Sequence, residues 1–121
     1  MNTKVLPNIT RSYVSEIKKD QKDIEIIVDL SDKTGGSSKE EYELRNLFIW
    51  GKHLTGYNVS MLINQKPNKG IFTIYLQYDG IKTMLYTNGV AEKVGNALTG
   101  NIFEDENIQS DILEIIKKLA N

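Results

Sequence analysis

The chain has 121 residues, 40% hydrophobic and 26% charged, with a net charge of −1 at neutral pH. That length suits one domain with a single core and no covalent staple, and the balanced charge argues against bulk electrostatic capture of nucleic acid or of an acidic membrane surface. With no cysteine and His53 as its one histidine, the chain excludes thiolate metal sites, cysteine nucleophiles and a multi-histidine zinc site within one molecule.

Met1 to Pro7 contains no long apolar stretch, and no window approaches the ~18 apolar residues of a membrane-spanning helix. The expectation is a cytoplasmic protein with no leader and no membrane contact. Arg11 and Arg45 are the two arginines among 15 basic residues. AT-rich coding DNA produces that lysine bias, as in low-GC bacteria and their phages and plasmids.

In residues 8–19, Ile9, Tyr13, Val14 and Ile17 share one helical face behind Asn8, a suitable N-cap. The spacing predicts a helix, with a strand as the competing reading because Thr10, Ser12 and the β-branched residues suit one. Asp20 to Asp23 is a turn. Ile24 to Leu30 alternates as a strand, with Ile24, Ile26, Val28 and Leu30 on one face and Glu25 and Asp29 on the other. Ser31 to Ser38 is a polar loop. Glu40 to Leu54 is a predicted helix with Leu44, Leu47, Phe48, Gly51 and Leu54 as its buried stripe, started by a capping box of Ser37 with Glu40 or Ser38 with Glu41.

Tyr57 to Asn64 is a second strand, with Tyr57, Val59, Met61 and Ile63 on one face. The strongest local signal follows. Ile71 to Asn88 is a hairpin about Asp79-Gly80, because a two-residue type I′ turn needs positive φ at both central positions. That turn sets Tyr78 opposite Ile81, Leu76 opposite Thr83, Ile74 opposite Leu85 and Phe72 opposite Thr87. Phe72, Ile74, Leu76, Tyr78, Ile81 and Leu85 then form a core face, and Thr73, Tyr75, Gln77, Lys82, Met84 and Tyr86 the opposite one. Val90, Val94, Ala97 and Leu98 recur at helical spacing before Gly100. A last helix starts near Asn107, with acidic residues before it, Lys117 and Lys118 at its end, and Ile108, Ile112, Ile115, Ile116 and Leu119 on one face.

The expected fold is α+β, a single domain over residues 1–121. A mainly antiparallel four-stranded sheet carries three to four helices packed mostly on one face, which leaves the other face at least partly open to water.

Four places merit weighing as sites. Tyr75, Met84 and Tyr86 cluster on the open sheet face with Lys82 beside them, a surface that suits a protein partner or stacked bases; the plainer account is that tyrosine favours strands. Gly35, Gly36, Ser37 and Ser38 precede a helix and could present N–H groups to an anion, although Glu40 and Glu41 oppose one and a capped loop explains the residues equally well. Asp29 and Asp32 follow an apolar strand without the spacing of an aspartate nucleophile. Trp50, beside Lys52 and His53 on the flank of the second helix, is a candidate second anchor, although such a tryptophan more often borders the core.

No cofactor, metal site or catalytic constellation is expected. The reading is a non-catalytic protein-interaction module of inhibitor, immunity or mobile-element accessory type. Its partner would be another protein or a second copy of the chain. The alternative is a nucleic-acid or small-anion binder using the aromatic face or the Gly35-Gly36 loop.

Overall fold

The computed structural model describes residues 13–14, 22–31, 38–50, 54–67 and 70–121. Four long strands form a mixed sheet: β2 (Lys22–Leu30), β3 (Tyr57–Gln65), β4 (Phe72–Tyr78) and β5 (Ile81–Thr87). A two-residue strand, β1 (Tyr13–Val14), adds to one edge, giving the order β1-β3-β2-β4-β5. Helix α1 (Ser38–Arg45) continues into a π-helical turn, Asn46–Trp50, and α2 (Glu106–Leu119) closes the chain. The α+β class stands.

The sheet is not mainly antiparallel throughout. β2 and β3 run parallel, with Ile24 beside Val59 and Val28 beside Ile63. The chain leaves one end of β2, passes through α1 and re-enters at the other end, so the two strands run the same way. Amide–carboxylate pairs join them near both ends: Asn58 donates to Asp23 at 2.9 Å and Asn64 to Asp29 at 3.1 Å. β4 then lies on the far side of β2, antiparallel to it. The connection from β3 to β4 crosses the end of β2 and is bonded there, Lys66 N–H to Leu30 O at 2.8 Å and Ser31 N–H to Ile71 O at 3.1 Å.

Two helices are present among the described residues, against three to four expected. Tyr13 and Val14 pair with Met61 and Ser60 as strand; the rest of 8–19 lies outside the described residues. The segment from Val90 to Leu98 is not helical: Val90 and Val94 are exposed. Gly89 and Gly95 both take positive φ there, 99° and 60°, which interrupts a helical run. Leu98 is drawn instead to the edge of β5, its N–H donating to Leu85 O at 2.9 Å and its C=O accepting from Thr87 N–H at 3.0 Å. The π-helical turn likewise departs from a regular helix and buries Phe48 and Ile49 side by side.

Both helices pack on the face formed by Ile26, Val28, Ile74 and Leu76. Leu44 and Phe48 come from the first helical segment, and Ile108, Ile112, Leu113 and Ile116 from α2. The carboxylate of Asp105 accepts from Asn107 N–H at 2.9 Å, capping α2. The opposite face is less open than expected. Ile27, Asp29, Thr73, Met84 and Thr87 are all buried, and Tyr75 is half-buried.

Candidate functional site

The hairpin forms where the sequence places it. Asp79 and Gly80 take φ of 53° and 78°, and Tyr78 faces Ile81, Leu76 faces Thr83 and Tyr75 faces Met84. Beyond Met84 the register slips: Ile74 faces Tyr86 and Thr73 faces Thr87. Leu85 is the extra residue of a β-bulge, which shifts every later side chain of β5 by one position. The expected pairs Ile74–Leu85, Phe72–Thr87 and Thr73–Tyr86 are corrected accordingly.

The bulge decides the fate of the aromatic cluster. Tyr86 turns into the core and is 2% exposed. Its ring meets Phe72 edge-on at 5.5 Å, and its hydroxyl donates to the Gly100 carbonyl. Burial pushes the phenol up from its ordinary value, against a smaller opposing effect of a backbone hydrogen bond at Ile102. Tyr75 and Met84 remain together on the other face, with the Lys82 ammonium 4.4 Å from the centre of the Tyr75 ring. A base-stacking platform there loses its second ring, and the first already carries a cation.

Of the other expected site residues, Ser38 is the first residue of α1. Gly35, Gly36, Ser37, Lys52 and His53 lie outside the described residues, as does Asp32. Trp50 ends the π-helical turn, and its side chain is likewise not described. Among the described residues no three His, Cys, Asp or Glu side chains converge on a metal-sized site, and no helix is long and apolar enough to cross a membrane.

A different surface comes forward at the free edge of the sheet. β5 is the last strand. In an antiparallel ladder, alternate residues turn both backbone groups toward the partner strand, and the residues between them turn theirs away. Ile81 and Thr83 face β4, so Lys82 and Met84 present their N–H and C=O groups outward. Leu98 covers the edge from Leu85 onward, and the Asp79-Gly80 turn bounds the other end. Among the described residues nothing else covers this edge, so the uncovered window is Lys82 to Met84.

Beside that window, on the helix-bearing side, lies a groove of about 350 Å³ lined by Leu76, Tyr78, Ile81, Thr83 and Leu119 and, at its polar part, Asp79 and Asn121. Ile81 is 66% exposed and Leu119 43% exposed. Sequence periodicity puts both residues on apolar faces. It carries no signal that the last turn of α2 stops short of covering the first residue of β5. A second cavity, about 270 Å³ at the other end of the hairpin, is lined by Phe72, Tyr86, Asn88, Asn101 and Phe103. Its amides are engaged in local structure: Asn88 donates to Gly70 O and accepts from Val90 N–H, and Asn101 accepts from Phe103 N–H.

No family model matches the chain, and neither the curated proteins nor the solved structures yield a match.

Proposed function

We propose that this chain is a non-catalytic protein-interaction domain that takes its partner at the free half of β5. The observation that carries the reading is Ile81. A large aliphatic side chain, two-thirds exposed, sits directly beside a strand edge with uncommitted backbone donors and acceptors and in a groove it shares with Leu76 and Leu119 on its apolar side and Asp79 and Asn121 on its polar side. A strand added at such an edge gains main-chain hydrogen bonds, while the groove takes an apolar side chain and supplies specificity. Native proteins ordinarily guard an edge with a projecting lysine. Here the head of Lys82 is folded back onto Tyr75, so the edge stays approachable. Lys82, Met84 and Tyr75 border the surface on one side, and Tyr78, Ile81 and Leu119 on the other.

Site-specific photocrosslinking tests this. A benzophenone side chain at Ile81 should give a discrete adduct in cells that express the chain, and the same group at Tyr42, 64% exposed on α1 and remote from β5 in sequence, should not. No adduct at Ile81, or equal labelling at both positions, would contradict the reading.

A further inference from the structure

We infer that Asn88-Gly89 is a site of spontaneous, backbone-assisted deamidation, and that the Thr87 hydroxyl holds the reaction in check. The site lies at the exit of β5, apart from the uncovered window. Asn88 is the one asparagine of the chain that a glycine follows. Glycine carries no Cβ, so the side chain before it can approach the next backbone nitrogen unhindered. Gly89 is exposed, has φ of 99°, and has nothing within 4 Å of where a Cβ would stand. Nucleophile and target are neighbours in one chain, so no translational freedom is lost when they meet. The step is an intramolecular acyl transfer. Hydroxide takes the Gly89 N–H proton, and the nitrogen bonds to Asn88 Cγ. The Cγ–Nδ2 bond breaks, and Nδ2 leaves as ammonia after taking a proton from water. Water then opens the succinimide ring at either carbonyl, leaving aspartate or isoaspartate in place of Asn88.

The hydrogen bonds of the turn act on this step in opposite directions. The Val90 N–H donates to Asn88 Oδ1 at 3.2 Å. That oxygen takes up negative charge as the nitrogen adds to Cγ, so the donor stands where charge develops. The Gly89 N–H donates to Thr87 Oγ1 at 3.1 Å, and the Thr87 hydroxyl donates to Ala91 O at 3.0 Å. Thr87 is fully buried. The proton that must be removed therefore faces a hydroxyl that is too weak a base to take it, and is turned away from water. The electrophile is primed and the nucleophile is withheld. Asn88 Nδ2 also donates to the Gly70 carbonyl. Conversion to a carboxylate sets an acceptor against that carbonyl in place of a donor. The change loosens the junction of β5 with the start of β4, where the Asn88 N–H donates to Phe72 O at 3.0 Å.

Peptide mass mapping during incubation at mildly alkaline pH tests this. In the parent chain Asn88 should convert before any other asparagine, with isoaspartate among the products. Thr87→Val keeps the shape of the side chain and removes the acceptor. Conversion at Asn88 should then run about fivefold faster, the size of one ordinary hydrogen bond. Thr87→Ser keeps the hydroxyl and should stay near the parent rate, which separates loss of the hydrogen bond from loosened packing. Circular dichroism reports whether each variant folds. If Thr87→Val does not fold, the parent chain unfolded in urea serves instead: its Gly89 N–H is freed, and conversion should be faster than in the folded chain. Conversion of another asparagine ahead of Asn88 would overturn the site. Equal rates in Thr87→Val and the parent, equal acceleration in Thr87→Val and Thr87→Ser, or no acceleration in urea would overturn the role of Thr87.

Discussion

The Tyr86 hydroxyl donates to the Gly100 carbonyl, fastening the end of β5 to the segment that leads into α2. Tyr86→Phe keeps the ring against Phe72 and removes the bond, so it should cost roughly 0.5–1.5 kcal/mol in urea denaturation. Tyr86→Ala also removes the ring and should cost several times more, because a buried aromatic leaves a large cavity.

The same residue makes stability depend on alkaline pH. Burial raises the phenol above its ordinary value of 10.0. Below that pH both the folded and the unfolded chain keep the proton, and the contribution is fully present. Above it the unfolded chain releases the proton first, so stability falls as pH rises toward the folded value. Urea midpoints measured from about pH 9 to about pH 11 should decline in the parent chain, and part of that decline should vanish in Tyr86→Phe.

Gly80 and Gly100 differ in what a side chain would meet. Gly80 has φ of 78° and open space around it, whereas Gly100 has φ of 126° and a Cβ there would stand 2.7 Å from Ile108 Cδ1. Gly80→Ala should cost about 1–2 kcal/mol from backbone strain alone. Gly100→Ala adds a clash with a buried side chain of α2 and should cost more. Equal losses in thermal or urea melts would mean that the Gly100–Ile108 contact is looser than described.

Leu76 is buried beneath α2 and opposite Thr83. Leu76→Ala should destabilise the chain by about 2–5 kcal/mol through lost transfer free energy and a residual cavity. A loss below ~1 kcal/mol would mean that this side chain faces water and that the whole hairpin register is inverted.

The hairpin was legible because Asp79-Gly80 states its backbone requirement in the residue types themselves. The faces of β2, β3 and α2 were legible because apolar spacing reports which side of an element is buried. Spacing does not report which strands are neighbours, so the parallel pairing of β2 with β3 was hidden. Nor does it mark an extra residue such as Leu85. One bulge sent Tyr86 into the core and dissolved the cluster with Tyr75 and Met84. Val90, Val94, Ala97 and Leu98 imitate a helical stripe, yet Gly89 and Gly95 interrupt it and Leu98 pairs with β5. The β5 surface was half visible. Ile81 and Leu119 stand on the apolar faces their spacing implies, but only the fold reveals that nothing among the described residues covers them fully.

Amide hydrogen exchange at Lys82 and Met84, followed by NMR with and without the partner captured through Ile81, tests the central claim most directly. Their N–H groups point away from β4, whereas that of Thr83 points toward it. Exchange at Lys82 and Met84 should be fast in the isolated chain and slow markedly when the partner captured through Ile81 is added, while Thr83 stays protected throughout. Fast exchange at both residues in the presence of that partner would contradict the account.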